Sequence, residues 1–174
     1  MKRSPVAIDK EKQNRIAGLF NRVVGLFSEF ILTQTAGPKN SQNVFGRPVH
    51  FEQDATLARI QGMAATGMRS AALLYASDLK SELSTLKAMV RQHCPVTLLI
   101  LGNKGEAVAD IATSGAIIFQ AHSAQSMADR LLMAPVIAEK CLLPVVIMAS
   151  AFEEGAVDLP EAKPRLNLLP DDDI

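Results

Sequence analysis

In the stretch PVHFEQDATLARIQGMAATG (residues 48–67), Gln53 stands between two acids, Glu52 and Asp54, where a short apolar strand pattern gives way to a helical one. Such a trio can move protons, and a positioned acid or base typically contributes about 10²–10⁴-fold to a rate. It can equally cap a helix through Asp54 and leave Glu52 in water. Ser77-Asp78, before the next helical pattern, is either an N-cap pair or a pair of polar ligand contacts. The run GNKGE (102–106) sets two glycines and a lysine between a strand and a helix. That composition suits an anion at a helix N-terminus as well as a plain turn, but its spacing matches neither a P-loop nor a dinucleotide fingerprint. His122 lies beside Ser123, a good N-cap residue. No G-x-S-x-G elbow is present, so a hydrolase has no nucleophile to start from. Two cysteines and three histidines are too few for an iron–sulfur cluster and lack zinc spacing. Cys94 and Cys141 both read as small buried hydrophobes.

These groups need elements to hold them. Ile16, Leu19, Phe20, Val23, Val24, Phe27, Phe30 and Ile31 recur at spacings of three and four, which predicts a helix over 9–32 with Asp9 as its N-cap. Its Phe-rich stripe is wide enough to dock on a sheet or on a partner chain. Residues 33–47 read as a loop by their Gly, Pro, Asn and Ser content. Strands are predicted at 48–51, 71–76, 96–101, 116–120 and 144–148, alternating with helices at 55–66, 79–93, 106–113 and 123–141. Pro135 inside the last helix predicts a kink or break. The strands are continuous apolar runs, the pattern of strands buried on both faces by crossover helices. The expectation is an α/β, doubly wound, mostly parallel sheet of about five to six strands, one domain over 1–151 followed by an extended acidic tail over 152–174.

A chain of 174 residues is one domain by length and buries about two-thirds of its unfolded surface. Lysine plus arginine equal aspartate plus glutamate at 18 each, so no global basic field recruits nucleic acid or an anionic membrane. No apolar run approaches the roughly 18 residues of a membrane span, and no apolar signal core follows the basic N-terminus. A cytoplasmic location is the default expectation.

The order of segments from Pro48 to Ser150 resembles the N-terminal, pyrimidine-binding thiamine diphosphate domain of 2-oxoacid:ferredoxin oxidoreductases, the family of pyruvate:ferredoxin oxidoreductase. In that family a strand leads into a glutamate that touches the aminopyrimidine, then into a small-residue helix with glycines nine and fourteen positions on. Here Gln53 is followed by Gly62 and Gly67 at those separations. LLYASDL (73–79) stands where the family has a strand ending in Ala-Ser-Gln-Gly-Leu, and HSAQSMADRLLMAPVIAEKCLLPVVIMAS (122–150) resembles the later helix and strand. Thr33 and Thr35 correspond to the substrate-side Ile-Thr-Pro-Ser loop.

The resemblance implies Gln53, Asp54, Ser77 and Asp78 as cofactor contacts, with Glu52 and Gln53 at the catalytic position. Gln53 is an amide where the family's acid protonates a ring nitrogen. Glu52 or Asp54 can replace it only by a one-residue slip, which turns a strand side chain to the opposite face. The arginine of the family's following segment is missing from GNKGEAVADIATSG. The diphosphate half, with its Gly-Asp-Gly and metal-holding Asn, is absent, so thiamine diphosphate is expected only with a partner chain. The expectation is a stand-alone, catalytically degenerate relative serving as a subunit or as an interaction or regulatory module, in a homo-oligomer or a complex with a diphosphate-binding subunit. Two alternatives remain open: an active subunit of a thiamine-dependent 2-oxoacid oxidoreductase completed by that partner, and an unrelated α/β small-molecule binder using the GNKGE loop.

Overall fold

The computed structural model describes residues 10–34, 42–43, 46–51, 56–102, 106–149 and 157–158. Along them run α1 (Lys10–Val24), β1 (Phe30–Thr33), β2 (Val49–Phe51), α2 (Leu57–Ala65), β3 (Ser70–Tyr75), α3 (Ala76–Arg91), β4 (Val96–Leu101), α4 (Glu106–Ala112), β5 (Ile117–Ala121), α5 (Ala124–Cys141) and β6 (Val145–Ala149). The six strands form one parallel sheet ordered β2-β1-β3-β4-β6-β5, the expected doubly wound α/β fold.

Strand alternation sorts the apolar runs into two cores. In β4, Leu99 and Leu101 join the core beneath α1 and α5, while Val96, Leu98 and Ile100 join the core beneath α2, α3 and α4. Both faces are covered, so both sets must be apolar and the strand reads as continuous. The crossovers through α2, α3 and α4 lie on one face and step one way along the sheet; the return from β5 to β6 through α5 uses the other face. Right-handed crossovers require that coupling.

The N-terminal helix is shorter than its periodicity predicts. It ends at Val24, and the residues expected to continue it form a turn and then β1. Gly25 donates its N–H to the Asn21 carbonyl at 3.0 Å, and a Cβ on Gly25 would lie 2.7 Å from that oxygen. Glu29 and Phe30 then donate to the Arg69 carbonyl at 2.7 and 3.1 Å, which sets β1 against β3. Phe27, Phe30 and Ile31 imitate a continuing helix because spacings of three and four also arise where a helix hands over to a strand. Pairing with β2 on one side and β3 on the other decides for strand.

Of the two uses open to the α1 stripe, docking on its own sheet is the one observed. Phe20, Val23, Val24 and Phe27 are fully buried in the core that α1 shares with α5 and the sheet, so that face is spent on its own domain. The α5 helix runs without a break through Pro135, which is buried. Ser123 caps it as expected, its Oγ accepting the Ser126 N–H at 3.1 Å. Cys94 is buried, and burial pushes its thiol pKa up; Cys141, expected to be buried as well, is exposed at the end of α5. Val157 packs on the α1/α5 core, and Asp158 exchanges two backbone hydrogen bonds with the Gln125 side chain at 2.7 and 3.0 Å.

Candidate functional site

All six strands end at one edge, but not level. Tyr75, Leu101, Ala149 and Ala121 lie in register across β3, β4, β6 and β5. Thr33 of β1 and Phe51 of β2 align with Leu73, two residues earlier. At about 3.3 Å per residue this leaves a step of about 7 Å between β1 and β3. The step falls at the topological switch point, where the chain leaves β1 for one side of the sheet and β3 for the other. Open α/β sheets bind ligands beyond strand ends at such a point.

Gln34 fills the step. Its backbone N–H donates to the Leu73 carbonyl at 2.9 Å, extending the ladder by one rung. Its Oε1 accepts the Tyr75 N–H at 2.9 Å, and its Nε2 donates to Asp78 Oδ2 at 2.6 Å. The residue is buried. On the α1 face of the sheet, two groups from α1 meet the ends of β1 and β3: Thr33 Oγ1 donates to Asn21 Oδ1 at 2.9 Å, and the Tyr75 hydroxyl donates to Gln13 Oε1 at 3.3 Å. Burial holds the Tyr75 hydroxyl above its ordinary pKa. Replacing Gln34 by Ala strands a backbone donor and loosens Asp78. The expected loss is about 1–3 kcal/mol of stability, the cost of a buried group left unpaired, read as a lower urea midpoint with an unchanged m-value.

Gly102 directly follows β4, the strand on the other side of β3 from the step. Its N–H donates to the Ala149 carbonyl at 3.1 Å, and a Cβ there would lie 2.3 Å from the Ala76 Cβ at the start of α3. Within the GNKGE stretch, this glycine answers to backbone packing. Residues 103–105 of the stretch lie outside the described residues.

The residues expected at the site are placed unevenly. Thr33, expected on a substrate-side loop, is instead the buried last residue of β1, its hydroxyl turned to Asn21. Ser77 and Asp78 are exposed in the first turn of α3; the helix starts directly from Tyr75, so they do not act as its N-cap. Asp78 holds Gln34 instead. Thr35, Glu52, Gln53, Asp54 and Ser150 lie outside the described residues. What flanks residues 52–54 is described: Phe51 ends the edge strand β2, and Leu57 N–H at the start of α2 donates to Glu82 Oε2 at 3.1 Å. On β2, His50 stacks on Phe30 at 4.8 Å, and the Arg59 guanidinium lies 5.7 Å from the same Phe30 ring.

Of the two glycines that set the register of the resemblance, Gly67 has φ +84° and closes α2 with its N–H on the Ala64 carbonyl at 3.0 Å. That is the usual reason for glycine just past a helix. Gly62 sits in mid-helix with nothing within 4 Å of where its Cβ would be, so nothing in the described structure requires glycine there. Gln34, Asn21 and Tyr75 were not anticipated from sequence. The polar residue just after an FILT strand is the available signal, and it is hidden because helical spacing runs through Phe30, Ile31 and Leu32 while Thr33 reads as the start of a loop.

Among the described residues, no three His, Cys, Asp or Glu side chains converge in a way that could hold a metal ion. Also among these residues, no helix is long and apolar enough to cross a membrane.

No protein-family model matches the sequence, and no curated protein does. Solved structures do match the fold. A 2-oxoglutarate:ferredoxin oxidoreductase from Magnetococcus marinus superposes with TM-score 0.62 at 16% identity, over 80% of this chain and 29% of its own. A split-gene transketolase, described as an inactive β4 tetramer, gives TM-score 0.58 at 11% identity, over 86% of this chain and 54% of its own. A thiamine diphosphate-dependent 4-hydroxybenzoylformate decarboxylase from Rhodococcus jostii gives 0.54 at 11% identity, over 89% and 36%. The chain thus has a fold found in domains of thiamine diphosphate-dependent enzymes, and it spans about half or less of the length of each.

Proposed function

We propose that this chain is a catalytically degenerate relative of the pyrimidine-binding domain of 2-oxoacid:ferredoxin oxidoreductases, working as a subunit or interaction module beside a second chain. The observation that carries the reading is Gln53, an amide directly beyond β2 where the resembled family places its acid. An amide can accept and donate hydrogen bonds to an aminopyrimidine but cannot deliver a proton to it. The use of Asp78 to hold Gln34 supports the same reading, because a residue expected at the cofactor is committed to closing the switch point. Coverage is consistent with it: the domain matches 29% and 54% of its first two structural neighbours, so the rest of such a site lies outside this sequence.

Calorimetric titration of the isolated chain with thiamine diphosphate and Mg²⁺ is expected to give no binding. The complex purified with its native partner is expected to show no 2-oxoacid oxidation. Cofactor bound in that complex, with activity abolished by Glu52→Gln or Asp54→Asn, overturns the degenerate reading. It would establish the second reading, an active subunit completed by a separate diphosphate-binding chain, which the split-gene transketolase among the neighbours favours.

A further inference from the structure

The α5 helix carries an outer stripe that the described residues leave largely open. Its inner face, including Met127, Leu131, Ala134 and Ala138, is buried. At 3.6 residues per turn, Asp129, Met133, Val136 and Lys140 fall opposite that face in a single line. Asp129, Met133 and Lys140 are exposed and Val136 is half-buried. Met133 is 53% exposed, one of two exposed large apolar side chains among the described residues. Leu132, Val136 and Ile137 pack in part against the domain's own core, and the surface they leave beside Met133 widens the apolar centre.

We propose that a second copy of this chain docks on the stripe, with the two α5 helices antiparallel about a two-fold axis. The charges choose the occupant and the direction. Asp129 and Lys140 sit at opposite ends, about 16 Å apart at 1.5 Å per residue. An antiparallel pair centred between Ala134 and Pro135 sets Asp129 against the partner's Lys140 and Lys140 against the partner's Asp129. Met133 then meets the partner's Val136. A two-fold contact requires one patch to complement itself in this way. A parallel pair would set acid on acid and base on base. One acid and one base make no net field for a nucleic acid or an anionic membrane. Asp129 is already positioned, its Oδ1 accepting from Gln125 Nε2 at 2.7 Å, and that glutamine is itself tied to the Asp158 backbone. The stripe lies on the outside of a helix layer, away from the strand ends, so the proposal does not depend on the thiamine reading.

Sedimentation velocity of the full chain over a concentration series tests it. A monomer–dimer equilibrium is expected. Asp129→Lys and Lys140→Asp each place like charges at both ends of the stripe and should weaken the dimer at least about tenfold, equivalent to about 1.4 kcal/mol, with the helical circular dichroism unchanged. The double variant Asp129→Lys/Lys140→Asp should dimerise like the parent. Mixing the two single variants should give a heterodimer, since one chain then offers two bases to the other's two acids. A chain monomeric throughout overturns the proposal, as does a dimer insensitive to either single variant. So does a dimer weakened by both that neither the double variant nor the mixture restores. A monomer that dimerises only when residues 159–174 are removed assigns the stripe to that segment and also overturns it.

Discussion

Phe20→Ala is expected to lower the unfolding free energy by about 3–5 kcal/mol, the usual cost of emptying a buried phenylalanine site. Phe20 is wholly buried in a core that also holds Val23 and Val24 of its own helix, Ile31 and Leu73 of the sheet, and Leu131 and Ala134 of α5. The packed helix on one side and the sheet on the other leave little freedom for collapse, so most of the cavity should persist. Urea unfolding at matched protein concentration checks the value, matching being needed because any self-association adds to apparent stability. A helix waiting for a partner would behave otherwise. Its apolar residues would sit in water, and Phe20→Ala would change the isolated chain's stability by less than about 0.5 kcal/mol, as exposed substitutions do. The experiment therefore separates a helix built into the core from a docking arm.

Gly102→Ala is expected to cost about 1–3 kcal/mol by overpacking, and the loss should be recovered in part by a second substitution. The added Cβ would sit 2.3 Å from the Ala76 Cβ, closer than two carbons can approach, while the Ala76 Cα and N lie at 3.5 Å, an ordinary contact. Removing only the Ala76 Cβ therefore removes the clash. Ala76→Gly alone should cost no more than about 0.5–1 kcal/mol, the cost of glycine in mid-helix, since Ala76 is the first residue of α3. Combined with Gly102→Ala it should stabilise relative to the single Gly102 variant. A double-mutant cycle with a coupling of about 1 kcal/mol or more is the expected result; strict additivity would mean that the end of β4 moves aside freely. The contact matters for the site because it sets the β4 end against the first turn of α3, the turn that carries Asp78.

Much of the fold was legible from local pattern. Continuous apolar runs such as VTLLIL and PVVIM announce strands covered on both faces, and their alternation with helical patterns requires crossovers and a parallel sheet. Ser123 was readable as a cap because an N-cap contact spans only three residues, from Ser123 Oγ to the Ser126 N–H. Periodicity failed where two elements share one stripe. From Ile16 to Ile31 the apolar spacing is helical throughout, yet the chain turns at Gly25, and only β1's two neighbouring strands make FILT a strand.

The candidate site divides along the same line. The sequence by itself determined which groups are available after each strand: an amide at 53 between two acids, Ser77-Asp78 after β3, and a glycine at 102. These are properties of residue type and order, and no folding is needed to read them. Only the tertiary structure decided that β1 and β2 stop two residues short of β3, that Gln34 occupies the step, and that Asp78 is spent on holding it. Gln34 and Asp78 are 44 positions apart in the chain. Their meeting follows from strand order and register, which arise when six strands compete for neighbours and bury their faces together, and no local run of residues encodes that outcome.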